Sequence, residues 1–274
     1  MSAVVVIARR EVRDAINSHW LLLYGGAFAI LALGLSYLGQ RNLGSLGFEN
    51  FSRTTASLLN LCLLLAPLIA LSLGAGSIAG EKDRGRLGYL LSQPLDRREL
   101  LLGKFLGLVL AIGIATIAGF GFAGLIIAFF ASAMDATTYV LVLTLVLALV
   151  AVMTGIGVVA SVISSTRVQA LGLALLIWFF AVLFFDLVLI GMVSAAALDG
   201  AALLALLLLN PVEIVRVLAI IRLEPDLQVL GPFGSYLLDQ LGRTQATVVL
   251  SAALLAWVAA PVSFALWLFR KREV

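Results

Sequence analysis

The sequence predicts an all-α integral membrane protein with six transmembrane helices. Hydrophobic residues make up 62% of the 274 residues and charged residues only 12%, with a mean hydropathy of +1.14. Soluble domains carry roughly 45–50% apolar and about 25% charged residues. No soluble core could enclose this much apolar surface, so lipid must solvate much of the chain. The net charge of +3 therefore does not indicate nucleic acid as a partner.

Six apolar segments are long enough to cross the roughly 30 Å hydrocarbon core of a bilayer. The third would span on the order of 50 Å at about 1.5 Å per residue, so we expect it to begin below the membrane or to bend. All belong to one transmembrane domain, 1–274. The predicted spans are about 20–38, 57–79, 99–131, 139–163, 169–193 and 246–269.

Residues 3–18 predict an amphipathic helix on the membrane surface. Val5, Ala8 and Val12 share one face, and the basic residues Arg9 and Arg10 lie mostly elsewhere. A basic polar face suits a helix lying on an anionic inner surface. The alternative is that residues 3–18 form a frayed cytoplasmic tail.

Residues 194–244 do not contain an uninterrupted apolar segment long enough to cross the membrane. A nine-residue apolar run at 201–209 is followed by Asn210 and Pro211, and then by charged residues including Glu213 and Arg216. Burying such charges at the centre of a span costs roughly 2.5–3.5 kcal/mol each. We therefore expect an outer-face segment that contains a re-entrant or interfacial helix near 211–223.

The segment 80–98, here called the charged loop, carries the densest run of charge in the chain. Its first half is nearly charge-balanced, and three leucines at i, i+3 and i+4 then predict a short helix parallel to the membrane. Pro94 ends that helix. Asp96 and Glu99 have the D-x-x-E spacing of a capping box, in which Asp96 caps the next helix and Glu99 reaches back to the Asp96 amide. This helix continues into the third span, so a force applied to the loop would travel along a stiff rod.

The distribution of lysine and arginine predicts the orientation. Thirteen of these residues fall on the side of the two termini and the charged loop, and five fall on the other side. Basic residues accumulate in the cytoplasm. Both termini and the charged loop are therefore predicted to be cytoplasmic, and 194–244 periplasmic.

The charged loop resembles that of the ABC-2 family of ATP-binding-cassette transporter permeases. That family shares a loop after the second span that reads approximately E-x-x-x-G-T-L-x-x-L-L-S-x-P-[LIV]-S-R-x-x-[ILV]-x-x-G-K. This chain departs from it at Arg86, where Thr is usual, and at Asp96, where Ser is usual. The matching residues are Glu81, Gly85, Leu87, Leu90, Leu91, Ser92, Pro94, Leu95, Arg97, Gly103 and Lys104.

The resemblance implies a non-catalytic permease that forms a homodimer in the bacterial inner membrane. It implies that each protomer seats a separate cytoplasmic ABC ATPase, which binds ATP and Mg, and that this chain binds no cofactor itself. The loop wording, the segment N-P-V-E-I-V-R-V at 210–217 and the chain length most resemble permeases that serve the maturation of nitrous oxide reductase. In the complexes of those permeases, a periplasmic partner on the outer face delivers cargo to the copper-sulfur centre of the reductase.

The resemblance and the residues together predict three sets of site residues. For periplasmic docking the resemblance alone suggests Pro211, Glu213 and Arg216, and the alternative is a lipid-interface helix. Apart from Glu99 at the very start of the third span, Asp186 is the only acid within a predicted span, with either a structural role or a role in a pathway or gate. The expected ATPase-coupling residues are Glu81, Lys82, Asp83, Arg84, Gly85, Arg86, Leu87, Leu90, Leu91, Pro94 and Arg97, with Asp96 and Glu99 as the helix cap.

Several other functions lack the residues they need. The chain has no P-loop, no H-E-x-x-H motif and a single histidine, so neither an ATPase nor a metal site is expected. The sulfur ligands that Cu(I) prefers are scattered, at Cys62, Met134, Met153 and Met192. The remaining alternatives are an ABC-2 exporter of another small molecule or lipid, a proton-coupled secondary transporter and a passive scaffold.

Overall fold

The computed structural model describes residues 2–41, 47–91, 95–130, 136–194, 200–223, 234 and 240–271. Across these residues every element named below is helical, and a π-helical segment at Phe179–Phe184 joins α7 to α8. The helices in chain order are α1 (Ala3–Ile16), α2 (His19–Arg41), α3 (Gly47–Asp83), α4 (Arg86–Leu91), α5 (Arg97–Phe130), α6 (Ala136–Ile163), α7 (Arg167–Trp178), α8 (Phe185–Ser194), α9 (Gly200–Leu208), α10 (Pro211–Leu223) and α11 (Gly242–Lys271).

Helices of membrane-spanning length and composition account for most of the described chain. Five qualify there, and α9 with α10 would make a sixth if this pair, bent by 117°, is one broken span. The five lie in α3, α5, α6, α7 with α8, and α11. The helix α2 covers the first predicted span, although many of its side chains lie outside the described set. The all-α membrane fold predicted from composition is therefore present.

The first two long helices extend further than the apolar segments that predict them. Helix α2 runs to Arg41, and α3 begins at Gly47. Much of the polar segment between the first two predicted spans is therefore helical, with 42–46 outside the described residues. Loss of apolar character marks where a chain leaves the bilayer, but polar residues do not by themselves end a helix.

Helices α3 and α6 cross through glycines that allow backbone to touch backbone. A Cβ added at Gly74 would lie 2.7 Å from the Thr154 carbonyl oxygen, and one at Gly157 would lie 2.6 Å from that of Leu71. Beside this crossing, Ser161 Oγ accepts hydrogen bonds from two backbone N–H groups of α3, each at 2.8 Å. Small residues permit such close approach between lipid-embedded helices, and the hydroxyl satisfies backbone that lipid cannot.

The N-terminal helix α1 packs on the start of α5, where Gly103 and Gly107 are spaced as G-x-x-x-G. A Cβ at Gly103 would lie 2.7 Å from the Ile7 side chain, and one at Gly107 would lie 2.8 Å from the Ala8 carbonyl oxygen. The glycine face of α5 therefore receives α1.

The pair α9 and α10 forms a bent hairpin that is fixed to its neighbours by polar side chains. Asn210, between the two helices, donates to the Ala181 carbonyl in the π-helical segment at 2.7 Å and accepts from the Val212 amide at 3.0 Å. Trp257 of α11 donates to the Leu208 carbonyl at the end of α9, at 3.0 Å. Most residues of α10 are buried in the bundle. This geometry suits a re-entrant or broken span and differs from the exposed face of a purely interfacial helix.

Candidate functional site

The turn between α3 and α4 places the charged loop at one end of the bundle. Gly85 has φ +66°, and its amide donates to the Lys82 carbonyl at 3.0 Å. Side chains other than those of Gly, Asn and Asp adopt this left-handed conformation only at a cost, so the glycine ends α3 and lets α4 begin one residue later.

The short helix α4 is anchored by Leu87, which is buried in a small apolar cluster. The cluster joins it to α3, α5, α6 and α11 through Ile78, Leu101, Val158 and Phe269. The side chains of Leu90 and Leu91 and all of 92–94, including Pro94, lie outside the described residues. The apolar strip that includes Leu90 and Leu91, and the end of the helix at Pro94, therefore remain predictions.

The start of α5 has the reciprocal hydrogen bond of a capping box, together with an N-cap hydrogen bond to the second helical residue. The Asp96 amide donates to Glu99 Oε2 at 3.2 Å, and the Arg98 amide donates to Asp96 Oδ1 at 3.4 Å. These contacts satisfy N–H groups that the first helical turn leaves without partners. Arg97 donates to the Phe269 carbonyl at 3.3 Å, which ties this start to the end of α11.

A chain of ion pairs connects the charged loop to the interior of the bundle. Arg86 Nε lies 3.2 Å from Glu81, and Lys104 Nζ lies 3.8 Å from Glu81 and 3.1 Å from Glu11. Only 7% of the Lys104 side chain is exposed. Four helices, α1, α3, α4 and α5, therefore share one ionic network, which we call the loop network.

The predicted coupling residues divide into an inward and an outward set. Glu81 belongs to the loop network, and Lys82 Nζ lies 3.5 Å from the Ser164 carbonyl. Asp83, Arg84 and Arg86 are exposed, and we call these three the outward patch; Arg86 also joins this patch to the loop network through Glu81. The structure thus leaves the outward patch accessible to another protein.

Sequence reasoning did not single out Glu11 or its pairing with Lys104. The signal available was Lys104 itself, because a lysine inside the apolar run L-L-L-G-K-F-L-G needs an acidic partner. The partner could not be chosen from sequence, since it depends on how α1 packs against α5.

A second ionic cluster lies far from the charged loop. Arg216 of α10 donates to both carboxylate oxygens of Asp186 of α8, at 2.7 and 3.0 Å, and its Nη1 lies 2.8 Å from Glu213 Oε1. We call these three residues the Asp186 cluster. A bidentate pair of guanidinium and carboxylate is strong and directional, and here it joins the fifth predicted span to the bent hairpin.

The residues predicted for periplasmic docking lie largely inside the bundle. Pro211 and Glu213 are buried, and the Arg216 side chain is 25% exposed. Docking of a periplasmic partner at these residues remains a prediction. The contacts that Glu213 and Arg216 make in the structure are with Asp186 and with each other. A lone acid in one span and an arginine in the next polar segment were the signal for this pairing.

Comparison with known proteins gives consistent results along the chain. The family model described as ABC-2 family transporter protein matches residues 5–274. The chain is 36% identical to "Probable ABC transporter permease protein NosY" of Stutzerimonas stutzeri, over 99% of each chain. It is 34% identical to the protein of the same name from Pseudomonas aeruginosa PAO1, over 100% of each chain.

Proposed function

Because this chain belongs to the ABC-2 family of transporter permeases, we propose that it is the membrane subunit of an ATP-driven complex and that a separate ATPase docks on its charged loop. The observation that carries the proposal is a contrast within the loop. The outward patch is exposed, while Glu81, Leu87 and Arg97 fix the loop to the helices behind it. Exposed charges on a rigid base suit a docking site, since charged pairs set the register and choice of partner.

The same contacts provide a route by which ATP-driven motion would enter the membrane. A push on α4 would reach α1 and α5 through the loop network and α11 through the Leu87 cluster. Helix α5 then runs 34 residues without a break, roughly 51 Å at about 1.5 Å per residue. In this proposal ATP and Mg bind only to the partner ATPase, and the chain described here is not catalytic.

We place the protein in the bacterial inner membrane as a homodimer, with the charged loop in the cytoplasm. Exposed apolar faces on α7 with α8 and on α11 support an assembly with lipid and a second copy. Only 11% of the apolar window in α7 and α8 is buried within the chain, against 61% in α3.

The relatives named NosY support a narrower role. We propose that the chain serves the maturation of the copper centre of nitrous oxide reductase, together with a NosF-like ATPase and a NosD-like periplasmic partner. It would pass a sulfur species, or only mechanical work, to that partner. The alternative within the family is export of another small molecule or lipid.

The docking proposal is tested by changing the loop without removing it. Gly85→Pro should uncouple ATP hydrolysis from reductase maturation while the protein stays in the membrane, because proline fixes φ near about −65°, whereas Gly85 has φ +66°. Glu81→Arg should do the same by reversing one charge of the loop network.

The matched control is Gly88→Ala, because Gly88 has open space around its Cβ position. Copper-centre content of the reductase and ATPase co-purification are measured in each strain. Normal maturation in both Gly85→Pro and Glu81→Arg would contradict the coupling role.

The Asp186 cluster is the one observation that favours a proton-coupled transporter instead. Acidic groups buried in a membrane protein are common components of proton pathways. Reconstitution of the lone chain in proteoliposomes with an imposed proton gradient separates the two proposals, since only a secondary transporter would move cargo without the ATPase. Full function with a catalytically dead ATPase would instead indicate a passive scaffold.

A further inference from the structure

A cavity of about 590 Å³ opens at the charged-loop end of the bundle, between α1, α3, α5 and α7. Its lining includes charged side chains of α1, the loop, α5 and α7, together with leucines of α3, α5 and α7. The proposed coupling mechanism uses the charged loop at the rim of this cavity, but it assigns no role to Arg167 or to the leucines that line it.

The charges that line the cavity do not balance. It has five basic and three acidic side chains, and each acid lies within 4 Å of a base: Asp14 with Arg10, Glu11 with Lys104, and Glu81 with Arg86. Among the described residues, Arg84 and Arg167 have no carboxylate partner. The cavity therefore has an excess of positive charge with no internal counter-ion.

Arg167 is the half-buried member of this unpaired set. It is the first residue of α7, and its side chain runs along the glycine face of α3. A Cβ at Gly76 would lie 3.7 Å from Arg167 Nε, and one at Gly80 would lie 3.8 Å from Arg167 Cδ. Because these two positions lack side chains, the guanidinium has room beside α3 and lines the cavity.

The lining that α7 contributes to the cavity changes from cationic to apolar along the helix. Leu171 and Leu175 follow Arg167 at i+4 and i+8, so the three share one face of α7. Leu68 and Leu73 of α3 also line the cavity. A cation with leucines that follow it along the same helix face matches an amphiphile with an anionic head and an apolar chain.

We propose that this cavity binds a phosphate group through Arg167, and that the phosphate belongs to the headgroup of an anionic phospholipid. The planar guanidinium can donate two parallel hydrogen bonds to phosphate oxygens. The leucine walls favour a lipid over a free anion, because they would hold the first part of an acyl chain. The inference does not depend on ATPase docking, since Arg167 lies outside the charged loop.

The test measures phosphatidylglycerol binding to the full-length protein in detergent, with phosphatidylcholine as the zwitterionic reference. Arg167→Gln should weaken phosphatidylglycerol binding about tenfold, the loss expected for one charge-assisted contact. Arg222→Gln removes the same charge from an exposed position of α10 that does not line the cavity, and should leave binding unchanged. Gly76→Leu should also weaken binding, because it fills the space beside Arg167 without changing charge.

Competition with inorganic phosphate distinguishes the two sources of the anion. If phosphate alone binds as tightly as phosphatidylglycerol, and in an Arg167-dependent way, the phosphate site stands and the lipid assignment fails. Equal phosphatidylglycerol binding by the wild type, Arg167→Gln and Gly76→Leu would overturn the proposal. So would equal binding of phosphatidylcholine and phosphatidylglycerol by the wild type.

Discussion

Single glycines set the distance between the two most closely packed helices. Gly74 and Gly157 leave no room for a methyl group, because the nearest atoms on the facing helix are backbone atoms that cannot rotate away. Other glycines in the spans have open space, for example Gly172 of α7. The same residue type therefore has opposite structural importance at different positions, according to what faces it.

Gly157→Ala should destabilise the protein, whereas Gly172→Ala should not. The added Cβ at 157 would meet the Leu71 carbonyl oxygen at 2.6 Å and force α3 and α6 apart. Overpacking of this kind costs about 1–3 kcal/mol, and the Gly172 change should be neutral or slightly stabilising because alanine favours helix. Melting temperatures in detergent test this; equal values for the two variants would contradict the crossing described here.

Lys104 is the buried member of the loop network, and its removal should be costly. Lys104→Met leaves Glu11 and Glu81 without their shared cation, and breaking a buried pair costs about 3 kcal/mol. Lys82→Met is the control, because Lys82 makes a single long contact of 3.5 Å, and should change the unfolding free energy by under about 0.5 kcal/mol.

A double variant checks the assignment of the partner. Adding Glu11→Gln to Lys104→Met should recover part of the lost stability, since Glu11 loses its cation in the single variant whereas Glu81 keeps Arg86. An additive loss in the double variant would show that Lys104 and Glu11 do not interact.

At the scale of elements, the structure fixes irregular segments by giving their backbone groups specific partners. Trp178 donates to the Leu64 carbonyl at 3.0 Å, three residues before the proline at position 67 inside α3. Asn210 does the same for Ala181 in the π-helical segment. Kinks and π-helical segments are tolerated in lipid only where neighbouring side chains bind the backbone groups that lack a partner within the helix. These contacts therefore also decide which helices are neighbours.

The Asp186 cluster should hold the bent hairpin against the fifth span. Arg216→Met leaves two acids facing each other without their cation, and we expect a loss of about 3–5 kcal/mol. Arg222→Met, at the exposed end of the same helix, is the control and should stay within about 0.5 kcal/mol of the wild type. Unfolding in detergent provides the measurement.

Exchange of the two charges tests the pair directly. The double variant Asp186→Arg with Arg216→Asp should be more stable than Arg216→Met, because it restores an ion pair between the same helices. If the exchanged variant is no better, the cluster contributes through packing and not through charge.

At the scale of the molecule, the basic residues gather at one end. The start of α5 contacts the end of α11 through Arg97, Lys82 contacts the turn after α6, and Lys104 contacts α1. Within the described residues, these three of the thirteen basic residues therefore lie at the end of the bundle that carries the charged loop. The positive-inside rule then predicts that this end is cytoplasmic.

Cysteine labelling in intact cells checks this orientation. A cysteine at Val274 should react only after the membrane is made permeable, and one at Arg41 should react from outside. The native Cys62 contributes little background, because it is fully buried. Labelling of Val274→Cys by an impermeant reagent in intact cells would contradict the predicted topology.

The sequence by itself determined the solvent of the fold, its helical class and the family. An apolar content of 62% leaves lipid as the only environment, and in lipid the backbone must satisfy itself within helices or closed barrels. The capping pattern at Asp96 and Glu99 involves residues only three apart, so its geometry is local and could be read from sequence. The loop motif is likewise made of residues close together in the sequence, so it identified the family without any knowledge of the tertiary structure.

Only the tertiary structure decided which distant groups meet. Glu11 and Lys104 are 93 residues apart, and Asp186 and Arg216 are 30 apart, so their pairing depends on how the helices pack and not on local spacing. Tertiary packing also turned Glu81 inward, leaving the outward patch exposed, and buried the hairpin helix α10. A charged side chain in a poorly solvating interior must find a partner, and helix packing selects that partner.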